Sequence, residues 1–330
     1  MSKPTFLVTH PIPEPGMSAL RTAGRVHVPA SPPNAAELAT ACRSGDFAVV
    51  VAQLSDLFDA DLLAEAKVTG ISNYAVGYDN IDIAAATGHN IVVGNTPGVL
   101  TDATADLTML LILATARRAI EADQFTRSGQ FTGWKPELLL GHDVSGATLG
   151  LAGFGRIARA TAVRAAAFGM NVIFCSHPPA GRLVDQDELV RLPYAVRQVS
   201  WKELVESSDF LSLHVPLTAT TRHLVDGAVL AAMKPAAILV NTARGPIIDE
   251  RALVHALRDG RLAGAGLDVY EHEPKLTPGL ADLPNVVLLP HVGSATTKVR
   301  ARMAELCAEN AIAMAHGKIP PHCVNPEAWQ

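Results

Sequence analysis

Three short strings in this 330-residue chain carry side chains that together could do acid–base and anion chemistry. They are Asn241-Thr242-Ala243-Arg244-Gly245, the run Asp268-Val269-Tyr270-Glu271-His272-Glu273-Pro274, and Leu289-Pro290-His291-Val292-Gly293-Ser294. Arg244 offers a permanent cation to anchor a carboxylate, and His291 can give or take a proton near neutral pH. Glu273 is a carboxylate able to tune that imidazole. Singly, each has a plain structural alternative: a surface ion pair for Arg244, a helix-start acid for Glu273, a turn residue for His291. Each string follows a short β-prone run, so in an open parallel sheet all three loops leave the carboxyl ends, where ligands bind.

A fourth string suggests what binds there. Residues 148–152 (TLGLA) run straight into Gly153-Phe154-Gly155-Arg156-Ile157-Ala158, a GxGxxA turn between a strand and a helix. Gly153 permits the tight turn, Gly155 lets backbone approach a pyrophosphate, and Ala158 allows close helix–sheet packing. The helix N-terminus behind them favours negative charge. Strand, turn and helix fall in the required order, so the reading is a dinucleotide site. Proteins that take NAD place an acid about 20 residues past the first glycine, to receive the ribose hydroxyls. Here the second strand ends in Phe174-Cys175-Ser176-His177, and the next acid is Asp185. With no carboxylate to repel a 2′-phosphate, Ser176, the amides after His177, and Arg182 could donate to one. NADP is therefore the expected cofactor, with NAD also possible.

The elements that must position these residues alternate in type. Strand-like runs at residues 5–9, 26–28, 47–51, 68–72 and 91–93 are separated by helical stretches, one capped by Asn34. This implies βαβ units and a parallel sheet. Residues 101–104 offer N-cap chemistry ahead of a helix, 107–116, that is apolar on nearly every side. Such a helix is expected to lie buried between domains or subunits. After a long loop at 128–146 the alternation restarts, with six strands expected at 148–152, 171–175, 209–213, 237–241, 264–268 and 286–289. A last helix, about 297–316, has no strand after it and is expected to pack back on the first domain.

Composition narrows the classes. The chain is 48% apolar and 18% charged, enough to build sizeable cores and too apolar for a disordered chain. A net charge of −5 provides no basic field for nucleic acid or anionic lipid. No apolar run approaches the length of a bilayer span. Cys42, Cys175, Cys307 and Cys323 are scattered without a CxxC pair, which points to a reducing cytoplasm and to no metal site.

Over nearly its full length the sequence resembles the D-isomer-specific 2-hydroxy acid dehydrogenases, most of all their glyoxylate/hydroxypyruvate reductases. The matching segments are residues 73–82 (NYAVGYDNID), 101–118, 131–141 (FTGWKPELLLG), 153–157 (GFGRI), 241–245, 266–274 and 290–296 (PHVGSAT). The resemblance implies an α/β chain of two domains. A Rossmann-type doubly wound nucleotide domain (100–293) would be inserted into a flavodoxin-like substrate-binding domain (1–99 plus 294–330). It implies reduction of a small 2-oxo acid by hydride transfer from a nicotinamide dinucleotide, with Arg244, Glu273 and His291 as the catalytic trio. Leu54, Val76, Gly77, Ser294 and Trp134 would contact substrate, Trp134 reaching from a partner subunit of a homodimer. Thr104, Val215, Pro216, Thr242, Ala243, Asp268, His291 and Gly293 would join the glycine loop around the cofactor. Related readings remain at this stage: a 3-phosphoglycerate dehydrogenase, or a corepressor-like protein that senses dinucleotides. Formate dehydrogenases of this type carry Gln where Glu273 stands.

Overall fold

Apolar rows running across parallel strands organise each half of the chain. The computed structural model describes residues 3–329. They form two compact units, one built from the residues up to Leu100 together with those from Ser294 onward, the other from Thr101–Gly293.

The first unit alternates β1 (Thr5–Val8), α1 (Glu14–Ala23), β2 (Arg25–His27), α2 (Ala35–Ser44), β3 (Val49–Ala52), α3 (Ala60–Glu65), β4 (Gly70–Asn73), α4 (Ile83–Gly88) and β5 (Val92–Gly94). Its five strands are parallel in the order β2-β1-β3-β4-β5, the flavodoxin-like arrangement. Leu7, Val50, Ile71 and Val93 stand in register across four of them, all buried. Asn34 caps α2 through a full capping box, its side chain accepting from the Ala36 and Glu37 N–H groups while Glu37 accepts from Asn34 N–H.

The second unit opens with α5 (Thr101–Ala116) and α6 (Ala119–Arg127). It continues through β6 (Thr148–Ala152), α7 (Arg156–Ala167), β7 (Asn171–Cys175), α8 (Gln186–Val190), β8 (Val196–Gln198), α9 (Trp201–Ser207), β9 (Phe210–Leu213), α10 (Gly227–Ala232), β10 (Ile238–Asn241), α11 (Glu250–Arg258), β11 (Gly264–Leu267) and β12 (Val286–Leu288). The chain then returns to the first unit as α12 (Thr297–Ala315), which packs on α1 and on β3, β4 and β5. The second sheet is parallel, in the order β12-β11-β10-β9-β6-β7-β8. Counted from β6, that is the doubly wound 3-2-1-4-5-6 order with a seventh strand at the far edge. The order reverses between β6 and β9, and there the glycine turn leaves the sheet.

Two expectations change. The sheet has seven strands rather than six, because β8 is a three-residue edge strand with an exposed central Arg197 and no apolar run to mark it. Residues 101–104 are not a cap but the first turn of α5 itself. That helix is apolar all round because it packs on α7 and on β10, β11 and β12 of its own unit. Leu111 and Ile112 are fully buried, while Leu110 stays half exposed. Among the described residues, no helix is long and apolar enough to cross a membrane.

Candidate active site

Six strands of the second unit deliver candidate residues at their carboxyl ends. After β10, Asn241 folds its loop back on itself: its side-chain Oδ1 accepts from Ala243 N–H, and its Nδ2 donates to the Arg244 carbonyl. The Arg244 guanidinium donates to the Ala243 carbonyl at 2.8 Å. After β11, Asp268 N–H donates to the Asn241 carbonyl, and His291 N–H donates to the Asp268 carbonyl. The loops after β10, β11 and β12 are thereby stitched side by side.

His291 Nδ1 lies 2.9 Å from Glu273 Oε2, and Glu273 Oε1 accepts from Tyr270 N–H at 3.0 Å. Nε2 of His291 has no hydrogen bond to the described residues. His291 itself sits at φ +54°, a left-handed conformation uncommon outside glycine and often found at functional sites. Partial burial alone would raise the Glu273 pKa. The bond and charge of His291, the Tyr270 N–H and the Arg244 cation outweigh it and hold Glu273 below its ordinary value. Glu273 is therefore ionised at neutral pH, and its pairing with His291 is strongest when the imidazole carries a proton.

Asp268 is buried, and its two oxygens accept from Val292 N–H and Gly293 N–H at 2.8 Å each. Burial pushes its pKa up, partly offset by those two bonds and by His291. The Thr104 hydroxyl donates to the Gly293 carbonyl, and the Thr108 and Thr242 hydroxyls pair at 3.0 Å.

The glycine turn suits a dinucleotide. Gly153 adopts φ +97°, and a Cβ there would press to 2.6 Å on the His214 carbonyl. At Gly155 a Cβ would meet nothing within 4 Å, so the backbone faces open space at the start of α7, a helix with no side-chain cap. That is the cradle a pyrophosphate needs. Arg156 is exposed and Ile157 half-buried, whereas the Phe154 ring stacks in the core on Phe174 at 3.8 Å, leaving only its backbone for a ligand. At the end of β7 the Ser176 hydroxyl pairs with His177 Nδ1 at 2.8 Å. Gly181 N–H donates to the His177 carbonyl and Arg182 N–H to the Ser176 carbonyl, closing the loop. Arg182 is exposed, with no ion pair among the described residues. Val215 is buried beside Pro216, next to His214, whose interior placement lowers its pKa to about 4 and which pairs with Ser212. Trp134 is 82% exposed in the loop after α6.

The first unit holds the other predicted residues. Asn73 Nδ2 donates to the Gly77 carbonyl at 2.9 Å, and Asn95 Nδ2 to the Val76 carbonyl at 2.7 Å. The N–H groups of Val76 and Gly77 have no acceptor among the described residues. Asn80, buried, donates to the carbonyls of Gln53 and Asp56 on either side of Leu54, and pairs with Asn73. Asp56 accepts from Gln53 N–H and from Thr9. Ser294 is half-buried, just before the Thr296 cap of α12. Sequence reasoning assigned no role to Asn73, Asn80, Tyr270 or Asn241. Both asparagines of the first unit lay inside the quoted run 73–82, but their partners are backbone groups that no motif displays.

A pyrophosphate-ready turn at the switch point of a doubly wound sheet, with an imidazole–carboxylate pair at the neighbouring strand ends, defines an NAD(P)-dependent oxidoreductase. The comparisons make the class specific: residues 109–293 match the family model for the D-isomer specific 2-hydroxyacid dehydrogenase NAD binding domain. The chain belongs to that family, whose members interconvert 2-hydroxy and 2-oxo acids. It is 47% identical to a glyoxylate reductase of Thermococcus litoralis over 98% of each chain. In structure it is similar to the NADPH-dependent glyoxylate/hydroxypyruvate reductase of Sinorhizobium meliloti solved with NADP and malonate (TM-score 0.87, 32% identity, covering 100% of this chain and 99% of that one). A glyoxylate reductase from Paecilomyes thermophila also aligns (TM-score 0.85, 35% identity, 98% and 99% covered).

Proposed function

We propose that this enzyme reduces glyoxylate or hydroxypyruvate to the 2-hydroxy acid, with NADPH preferred over NADH and His291 as proton donor. The observation that carries this reading is the His291–Glu273 pair, which leaves Nε2 open on the same strand ends as Arg244. When bound, the nicotinamide supplies the hydride to C2 of the acid. His291, its Nδ1 held by ionised Glu273, delivers a proton to the nascent alkoxide from Nε2. Arg244 is suited to hold the substrate carboxylate and polarise the keto oxygen. In the first unit, the N–H groups of Val76 and Gly77 are the candidates to receive a carboxylate. Leu54 and Ser294 are the first unit's other candidates for contact with substrate. Gly153 to Ile157 cradle the pyrophosphate, and Thr104, Val215, Pro216, Thr242, Ala243, Asp268 and Gly293 flank the nicotinamide end.

The preference for NADPH is supported by the absence of a carboxylate at the end of β7, by the closed Ser176–Arg182 loop, and by the likeness to an NADPH-dependent enzyme. A cytoplasmic homodimer completes the reading. The half- to fully exposed side chains of Leu110, Ile120, Phe131, Trp134 and Leu140 supply apolar surface for a second copy, with Trp134 reaching toward its site.

The test compares initial rates of glyoxylate and hydroxypyruvate reduction with NADPH and NADH at equal subsaturating concentrations, for the wild type and Arg182→Ala. Faster turnover with NADPH is expected, with Arg182→Ala lowering kcat/KM for NADPH about tenfold, the scale of one charge-assisted bond, and sparing NADH. Faster turnover with NADH would overturn the cofactor preference. No turnover of either acid would overturn the substrate.

A further inference from the structure

We infer that Glu250 is a positioning residue for the reaction: its buried carboxylate closes both ends of the segment that carries Glu273, and so sets the Glu273–His291 pair. The inference rests on the reading of His291 as proton donor.

Glu250 is the first residue of α11 and is 1% exposed. Its Oε1 accepts from Glu271 N–H at 2.7 Å, and its Oε2 accepts from the Thr277 hydroxyl at 2.6 Å. Glu271 and Thr277 are the two ends of a short excursion. Between them Lys275 N–H donates to the His272 carbonyl, a turn that holds Glu273 inside it. One side chain thus ties the segment shut at its base, while the Glu273 carboxylate is hydrogen-bonded to Tyr270 N–H and His291.

The brace is reciprocal. Glu271 Oε2 accepts from Glu250 N–H at 3.3 Å, and Glu271 Oε1 meets His223 Nε2 at 2.6 Å with Arg222 at 3.9 Å. A buried carboxylate is costly unless every oxygen is matched, and here both oxygens of Glu250 are. Its charged neighbours are Glu271 and His272; Glu271 is faced by His223 and Arg222; His291 is faced by Glu273 and Asp268, and Glu273 by Arg244. Among the described residues no hydrogen bond or ion pair joins Glu250 to His291, so its route to the reaction is through the placing of Glu273.

That separates position from mere support of the fold. If Glu273 drifts from His291, the imidazole loses the anion that favours its charged form, and reduction should fail at a lower pH. The experiment measures kcat/KM for glyoxylate reduction against pH in Glu250→Ala, Thr277→Val and Glu250→Gln, on protein whose folding is checked by its thermal transition. Glu250→Ala is expected to lower kcat about tenfold near neutral pH and to move the descending limb to lower pH, as Glu273→Gln should, with NADPH affinity unchanged. Thr277→Val, which frees only one end, gives a smaller displacement in the same direction. Glu250→Gln restores the limb toward its wild-type place, since its amide can accept from Glu271 N–H and donate to the Thr277 oxygen. A slower Glu250→Ala enzyme with an unmoved limb would overturn the inference, and so would an unmoved limb in Thr277→Val if the alanine variant does not fold. His291→Gln separates the layers. Wild-type turnover in that variant sinks the proton-donor reading and this inference with it, whereas its loss alongside an unmoved limb in Glu250→Ala sinks the inference alone.

Discussion

The two units hold their candidate loops by opposite means. In the first, side-chain amides do most of the holding: Asn73, Asn80 and Asn95 donate to the carbonyls of Gly77, Gln53, Asp56 and Val76. Asp56, which accepts from Gln53 N–H, is the exception. In the second, the Asn241 amide holds the Arg244 loop, but carboxylates do most of the holding: Asp268, Glu250 and Glu273 accept from the N–H groups of Val292, Gly293, Glu271 and Tyr270. Consuming carbonyls leaves N–H groups facing outward, which makes an uncharged loop attractive to an anion. Consuming N–H groups with carboxylates instead surrounds an imidazole and a guanidinium with fixed negative charge. Neutral dipoles suit recognition of a carboxylate that does not change charge, while a proton-transfer centre needs ionised neighbours.

The sharpest way to break this contrast is His291→Gln, which should lower kcat about a hundredfold or more, the scale of a lost general acid, with NADPH binding retained. Retained turnover would remove the chemistry from the second unit. In the first unit, Asn80→Leu removes the amide that donates to the Asp56 carbonyl and, beside Asp56 N–H, to the Gln53 carbonyl, and so loosens the loop around Leu54. The KM for glyoxylate should rise about tenfold while kcat stays within about threefold, as expected of weakened binding. An equal fall in kcat would mean that the amide network supports only the fold. A smaller effect separates two of the second unit's strand-end imidazoles, His214 and His291. Because burial lowers the His214 pKa from 6.5 to about 4, the unfolded chain binds more protons than the folded one between those values. Stability is then complete above pH 6.5 and declines toward pH 4. Relative to His214→Asn, the wild type should lose about 1 kcal/mol between pH 7 and 5.5 in urea titrations. Parallel pH dependence in the two proteins would show that His214 is not held neutral.

What could be read in advance follows from how each feature is written in the chain. The glycine turn and the strings ending in Arg244, Glu273 and His291 were legible because each follows a strand directly, so local order stands for spatial position. The parallel strands of both sheets were legible because buried strands are apolar on both faces. Strand β8 escaped because two half-buried residues around an exposed Arg197 carry no apolar run. The surface that α5 packs on within its own unit was not legible, because an all-round apolar helix looks the same whether a sheet or a second subunit covers it. Glu250 escaped for another reason: it follows the Asp249 cap of α11, so an acid there reads as ordinary first-turn chemistry. Its partners, Glu271 and Thr277, lie more than twenty residues on. Interactions between a side chain and remote backbone leave no spacing to detect.

The hydrogen bond from Thr104 to the Gly293 carbonyl has a consequence for assembly. It joins the first helical turn of the contiguous unit to its final residue, so both ends of that unit meet once it has folded. The discontinuous unit, interrupted between Leu100 and Ser294, would otherwise have to close over a long unordered loop. With the insert already folded, that loop shrinks to the width of one hydrogen bond. An order of events in which the middle of the chain matures first, and the two outer segments then find each other, is the one this topology favours.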